Sequence, residues 1–105
     1  MNNQNKHWDI REEHPGFILR KKFLVPLGIS AYRLAKETFI QQTRISLILK
    51  GERAVTPKTA GRFAKYLNTT GRYWLDLQAD YDLEIGSREN DDLIKIEPYK
   101  WNNKM

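Results

Sequence analysis

The sequence contains no cysteine, which excludes a disulfide framework and any metal site built on thiolates. It has no apolar run long enough to span a membrane, and its polar start, MNNQNKHWD, is not a signal peptide. The two histidines, His7 and His14, are too few and too badly placed for metal binding or acid–base chemistry. No nucleophile–base set and no ligand cluster is present. We therefore predict a cytoplasmic protein that is not an enzyme and has no metal, no cofactor and no membrane partner.

Positive charge is concentrated in the middle of the chain. Residues 14–78 hold twelve Lys and Arg against three acidic residues, a net charge of +9, whereas residues 79–105 have −3 and residues 1–13 have −1. Such a basic segment is typical of a surface that meets a polyanion. The alternative is solubility charge on an ordinary helical protein, but that does not explain where the charge lies. The 105 residues are enough for one domain with a modest core.

Five helices are predicted between residues 14 and 85. The His14-Pro15-Gly16 turn starts the first, and His14 is expected to fix that turn. Ser30 and Thr56 are N-cap types, the pair Thr69-Thr70 offers a further cap, and Gly51 suits the left-handed end of a helix. The first predicted helix runs from Phe17 to about Leu24 and is ended by Pro26, the second begins at Ser30, and the third ends at Gly51. The fourth begins at Thr56-Pro57 and runs to about Asn68, and the fifth runs from Gly71 to about Leu83.

The two ends of the chain differ from this helical domain. Residues 1–13 are predicted to form a flexible N-terminal arm, and residues 86–105 a polar C-terminal tail. Within the tail, LIKIEPYKW alternates like a short strand. That segment could add to the edge of a partner's sheet, or it could be a flexible end.

The stretch Ser30 to Gly51 is typical of a helix-turn-helix. Its apolar residues recur at offsets of three and four, and small Ala35 lets the two helices cross closely. The inward-facing set is Tyr32, Leu34, Ala35, Ile40, Ile45, Ile48 and Leu49. This leaves Gln, Thr and Arg on the outer face, which are residue types that bond base edges and phosphates. The sequence therefore predicts an all-α DNA-binding domain.

Two runs also resemble a known family. HPGFILRKKFLVPLGISAYRLAK and RISLILKGERAVTPKTAGRFAKYLNTTGRYWLDLQADYDL are similar to the HigA (VapI) antitoxins of the lambda-repressor-like (Xre) helix-turn-helix class. The resemblance covers about residues 14–83. It implies a small antitoxin that forms a homodimer, represses its own operon and neutralises a ribonuclease toxin of the HigB (RelE-like) type.

The chain departs from the family pattern at the turn between the two helices. Thr38-Phe39 stands where a hydrophobic residue followed by glycine is usual, and Phe strongly disfavours a positive φ. We therefore expect a remodelled turn. Gln41 is a poor N-cap for the second helix of the motif, the recognition helix. Thr43 could instead cap that helix, which would then start later.

The match to the helix-turn-helix assigns candidate DNA contacts. The predicted base-contacting residues are Gln41, Gln42, Thr43, Arg44 and Leu47, with Arg44 able to reach either guanine or phosphate. The predicted phosphate contacts are Ser30, Tyr32, Arg33, Lys36, Lys50, Arg53, Thr56 and Lys58. Lys58, Arg62 and Lys65 are otherwise interpreted as a solvated helix face.

A monomer of this size reads few base pairs, so we expect a homodimer on a palindromic double-stranded operator, with half-sites roughly 34–36 Å apart. The aromatic segment of the fifth predicted helix indicates where the two subunits of the dimer meet. Tyr73, Trp74, Leu77 and Tyr81 fit core positions, and whatever part of them stays exposed would form the dimer interface.

Two other functions remain open. The chain could be a stand-alone Xre-type regulator without a toxin, or a protein-interaction module in which Phe39 and Gln41 have abolished DNA binding.

Overall fold

Five helices make up the domain in a computed structural model, which describes residues 10–89 and 91–101. Helix α1 consists of three consecutive segments: an α-helical Pro15–Ile18, a π-helical Leu19–Leu24 and an α-helical Val25–Leu27. The other four are α2, Ala31–Thr38; α3, Gln42–Leu49; α4, Pro57–Leu67; and α5, Gly71–Glu89. The predicted all-α, five-helix class is confirmed. No helix in the described ranges is long and apolar enough to cross a membrane.

Side-chain caps begin the helices where the sequence predicts them. Ser30 Oγ accepts the Arg33 N–H at 3.0 Å and starts α2. Thr56 Oγ1 accepts the Thr59 N–H at 3.4 Å, with Pro57 in the first turn of α4. Thr70 Oγ1 accepts the Tyr73 N–H at 3.1 Å at the start of α5. Each cap satisfies an N–H that has no partner inside its helix.

The prediction that Pro26 ends α1 is wrong. The Val25 N–H donates to the Arg20 carbonyl, five residues back, so a widened π turn precedes the proline. The helix continues to Leu27 and stops at Gly28, whose φ of 68° is left-handed. There the Ile29 N–H reaches back to the Leu24 carbonyl at 2.9 Å.

The core takes buried residues from all five helices, among them Leu34 and Ala35 of α2. Trp74 and Phe63 are fully buried, with ring centroids 5.4 Å apart and the rings edge to face. At the other end of the core, α1 approaches α3 so closely that a Cβ on Gly16 would lie 1.8 Å from the Ile48 carbonyl oxygen. Only glycine permits this approach, which fixes α1 against α3.

The ends of the chain depart from the sequence-based expectations. Helix α5 continues past Leu83, its predicted end, to Glu89. The strand predicted in LIKIEPYKW is wrong: Asp91–Lys95 is a 3-10 helix, and residues 96–101 form no strand. A strand needs a neighbouring strand to pair its backbone groups, and the described residues contain no sheet. Of the predicted arm, residues 1–9 lie outside the described residues, and Ile10–Glu13 is a 3-10 helix against α1 and α5.

Candidate nucleic-acid interface

The outer face of α3 presents all the residues predicted to contact bases. Gln41, Gln42 and Thr43 are exposed and Arg44 and Leu47 are partly exposed. On the opposite face Ile45 and Ile48 are fully buried, while Leu49, also predicted to face inward, is only partly buried. A shallow surface hollow joins part of this set, and it is lined by Gln42, Thr43, Ser46, Leu47 and Lys50. Ser46 was not among the predicted contacts, although its spacing of four from Gln42 and three from Thr43 places it on the same face. The helix therefore offers amide, hydroxyl and apolar groups in one strip.

The turn before α3 keeps the helix-turn-helix geometry, so the expectation of a remodelled turn is wrong. Helix α2 ends at Thr38, and Phe39 adopts left-handed φ and ψ of 59° and 39°. The N–H groups of Phe39 and Ile40 both reach back to the Ala35 carbonyl. A left-handed L-residue costs about 1–2 kcal/mol. Because the Phe39 ring is 85% exposed, the side chain meets no further obstacle in this conformation.

Arg62 stabilises that turn from the neighbouring helix. Its Nη1 donates to the Thr38 carbonyl at 2.9 Å and to the Phe39 carbonyl at 3.2 Å. The interpretation of Arg62 as part of a solvated helix face is therefore wrong. Local sequence gives no signal for this contact, because the partners lie 23 and 24 residues away.

The start of α3 follows the helix-turn-helix register. Gln41 occupies the N-cap position without a side-chain hydrogen bond, and the helix begins at Gln42. The alternative of a later start capped by Thr43 is thus wrong. Because its side chain makes no cap, the Gln41 amide remains exposed at the tip of the recognition helix.

The residues predicted to contact phosphate are exposed without exception. They are Ser30, Tyr32, Arg33, Lys36, Lys50, Arg53, Thr56 and Lys58. Tyr32 was also placed in the inward-facing apolar set, and there the prediction is wrong, since the side chain lies outside. An exposed phenol is compatible with a phosphate contact.

Arg33 takes part in an exposed network with the end of α2. Its Nε lies 3.2 Å from a carboxylate oxygen of Glu37, which also accepts a hydrogen bond from the Tyr66 hydroxyl. The Tyr66 bond, and then Arg33, hold the pKa of Glu37 below its ordinary value, and the same bond raises the pKa of Tyr66. An exposed ion pair of this kind contributes little stability, so Arg33 can exchange the carboxylate for a DNA phosphate.

Helix α5 divides its aromatic residues between core and surface. Trp74 is fully buried and its Nε1 donates to Thr69 Oγ1 at 2.8 Å, so its prediction as a dimer contact is wrong. Tyr73, Leu77 and Tyr81 are partly exposed. Leu83 is strongly exposed on the same helix and was not predicted as a dimer contact.

Two buried polar residues tie the loop after α3 to the rest of the domain. Gln78 on α5 accepts the Val55 N–H at 2.8 Å and donates to Asp82 at 2.9 Å. His14 caps α1 by accepting the Gly16 N–H on Nδ1 at 2.9 Å. Burial lowers the pKa of His14, against the opposing effects of the Asp82 charge and a hydrogen bond to the Arg53 backbone. The caps and the loop together hold the recognition helix in place.

The matches found by comparison with known proteins agree with one another. The family described as Helix-turn-helix (HTH_3) matches residues 19–74. Virulence-associated protein I of Dichelobacter nodosus is 36% identical over 85 residues, which cover 81% of this chain and 79% of that protein. The uncharacterized HTH-type transcriptional regulator YbaQ of Escherichia coli K12 is 35% identical over 86 residues, covering 79% of this chain and 76% of that protein. Among solved structures, the Pseudomonas aeruginosa antitoxin HigA with its higBA promoter superposes with a TM-score of 0.78 at 31% identity, covering 83% of this chain and 97% of that one.

Proposed function

Since this chain belongs to the helix-turn-helix (HTH_3) family, with VapI and HigA-type antitoxins among its relatives, we propose that it is the antitoxin of a type II toxin–antitoxin module. It is a HigA-like helix-turn-helix regulator that binds DNA. The proposed antitoxin activity has two parts. A homodimer represses its own operon at a palindromic operator, and the same protein neutralises a HigB/RelE-like ribonuclease by direct binding.

The outward strip of α3 carries the DNA part of this proposal. Gln42 can form a bidentate pair with adenine, and Thr43 and Leu47 can contact the methyl group of thymine. The exposed cations around the strip fit the phosphates on either side, which position the protein without reading sequence. The net charge of +9 over residues 14–78 supplies the attraction that brings it to DNA.

Dimerisation is proposed to use the exposed parts of Tyr73, Leu77 and Tyr81, which follow one another at intervals of four residues along one face of α5. Apolar groups in this position favour a seam between two copies. The symmetry of a dimer matches that of a palindrome, which doubles the number of base pairs read. As an operon repressor the protein would act in the cytoplasm.

A binding measurement tests the repressor. The chain is titrated against the DNA upstream of its own gene and against a scrambled duplex, each at two salt concentrations. We expect tight binding to the native fragment alone, with two chains per site. Equal, weak and strongly salt-dependent binding to both duplexes would contradict sequence-specific repression.

Neutralisation is tested separately with the product of the gene that adjoins this one. Its expression alone should arrest growth, and co-expression of this chain should restore it and yield a complex that co-purifies. Absence of a toxic neighbour would favour the second candidate, a stand-alone regulator; the relative YbaQ is described as an HTH-type transcriptional regulator. The third candidate, an interaction module in which Phe39 and Gln41 have abolished DNA binding, would be excluded by salt-dependent binding of the chain to its own upstream DNA.

A further inference from the structure

The C-terminal segment, residues 91–101, carries a row of apolar side chains that the domain does not cover. The exposed ones are Leu93, Ile94, Ile96, Tyr99 and Trp101. The rings of Tyr99 and Trp101 meet edge to face, with centroids 5.4 Å apart, so these two side chains form one aromatic surface. Neighbouring exposed apolar groups of this size mark a surface that a partner covers.

A second uncovered surface lies on α1. This α1 patch consists of five exposed residues: Arg20, Lys21, Lys22, Val25 and Leu27. Within residues 10–89 and 91–101, none of its three cations forms an ion pair. The sequence between positions 14 and 36 contains no acidic residue that could neutralise them locally. The patch is therefore basic and partly apolar.

We propose that the C-terminal segment of one chain docks on the α1 patch of a second copy, and reciprocally. The proposal rests on the homodimer proposed above. The charges of the two surfaces are complementary, because residues 84–97 hold five acidic residues against two basic ones, a net charge of −3. Opposite charge sets the orientation of the segment, and its apolar side chains cover Val25 and Leu27, which supplies the favourable burial.

The proposed α5 interface brings the two surfaces together. Because its contacts are spaced by four residues, a two-fold axis at Leu77 sets Tyr73 against the partner's Tyr81, with the two α5 helices antiparallel. At 1.5 Å per residue, the partner's α5 ends about 18 Å beyond the axis, whereas α5 of this chain starts about 9 Å from the axis on that side. Helix α1 lies at that start, since the ring centroids of Phe23 and Tyr73 are 6.1 Å apart. The partner's helix thus extends past the start of α5 and places its C-terminal segment beside α1.

The second copy is a nearer source of this segment than the chain itself. Within one chain, the segment begins after Glu89, which lies about 24 Å along α5 from Tyr73. In the antiparallel dimer, the corresponding point of the partner lies about 12 Å from Tyr73 along the helix axis. Both surfaces are exposed in the single chain, so its own fold does not cover them.

Introduced thiols report the contact directly, because the chain contains no cysteine. One full-length chain carries a tag and Leu27→Cys, and an untagged chain carries Ile94→Cys, Ile96→Cys or Tyr99→Cys. The two are mixed, allowed to exchange subunits and oxidised. We expect a disulfide between tagged and untagged chains at one or more of the three positions, because the bond forms only where Cα atoms approach within about 7 Å. Lys65→Cys in the tagged chain is the matched control, since Lys65 is exposed outside the α1 patch and should not be linked.

Two outcomes of the cross-linking would overturn the proposal. One is the absence of any link to Leu27→Cys that exceeds the control. The other is a disulfide that forms only within a chain carrying both cysteines, which would place the segment on its own α1.

The strength of the dimer without DNA gives a second measurement, made by analytical ultracentrifugation. Ending the chain at position 90 should raise the dissociation constant of the dimer about tenfold or more, because apolar area that the dimer buries is lost. Lys21→Glu combined with Lys22→Glu should also raise it, and adding Glu97→Lys should recover part of the loss, whereas Lys65→Glu should leave it unchanged. An unchanged dissociation constant in the shortened chain overturns the docking alone, and operator binding can persist. A full-length chain that stays monomeric overturns the proposed homodimer itself.

Discussion

The guanidinium of Arg62 reaches from α4 to the carbonyl oxygen of Phe39, 3.2 Å away, at the left-handed residue of the helix-turn-helix. A second bond goes to the adjacent Thr38 carbonyl. The end of α2 thus has its outward-turned carbonyl groups satisfied by a residue of another helix. The contact lets the domain keep its turn without the glycine that this position usually carries.

Removing this contact should destabilise the domain. For Arg62→Ala we expect the free energy of unfolding to fall by about 1–3 kcal/mol, because two carbonyl groups lose a charged donor. Urea denaturation measures the change. Lys65→Ala is the control, since Lys65 is exposed on the same helix; equal losses in the two variants would contradict the role of Arg62.

Phe39→Gly should stabilise the turn. Glycine removes the energetic cost of the left-handed conformation but raises the conformational entropy of the unfolded chain. We therefore expect the free energy of unfolding to rise by up to about 1 kcal/mol. Asn68, at φ 60°, provides the comparison. Because Asn tolerates this conformation better than Phe, Asn68→Gly should gain less in the same thermal or urea unfolding experiment. A larger gain at Asn68 would argue against strain at Phe39.

Gly16→Ala should be among the most damaging single changes in the chain. The new methyl group would lie 1.8 Å from the Ile48 carbonyl oxygen, a backbone atom that cannot move alone. We expect a loss of about 4 kcal/mol or more. Gly61→Ala is matched to it: nothing lies within 4 Å of its added Cβ, and the helix should gain about 0.5–1 kcal/mol. Circular dichroism during urea titration distinguishes the two.

Stability should fall as the pH drops below the ordinary histidine pKa of 6.5, since burial lowers the pKa of His14 in the folded chain. In that range the unfolded chain binds a proton that the folded chain resists, so the contribution of His14 is complete above pH 6.5 and decreases below it. Protonation of Nδ1 would also remove the acceptor of the Gly16 N–H. His14→Asn, which keeps a cap acceptor, should have a flatter stability profile between pH 8 and about pH 5. An unchanged profile would contradict the role of His14.

Base reading by α3 is tested with Gln42→Ala and Thr43→Ala. Each should reduce the preference for the operator over random DNA by about 1–3 kcal/mol. Arg33→Ala should weaken binding to every duplex and reduce the salt slope by about one. If Gln42→Ala weakens operator and random DNA equally, direct readout by that residue is wrong.

Local chemistry explains why much of the fold could be predicted. Ser30, Thr56 and Gly51 act within a few residues of themselves, so their caps and turns follow from sequence. The left-handed conformation of Phe39 goes against a backbone preference that the hydrogen bonds at the turn overcome. The role of Arg62 depends on a contact across 23 residues. Neither is visible in a local pattern. The predicted strand failed for the converse reason, since alternation alone supplies no pairing partner.

The buried Gln78 side chain connects the two surfaces that the proposed function uses. It holds the Val55 N–H of the loop next to Arg53, and it belongs to α5, the helix assigned to the dimer seam. Gln78 thus joins the helix proposed for the dimer interface to the loop that precedes α4, next to the proposed phosphate contact Arg53. By thermodynamic linkage, any effect of subunit pairing on operator affinity in the proposed dimer would equal the effect of operator binding on subunit pairing.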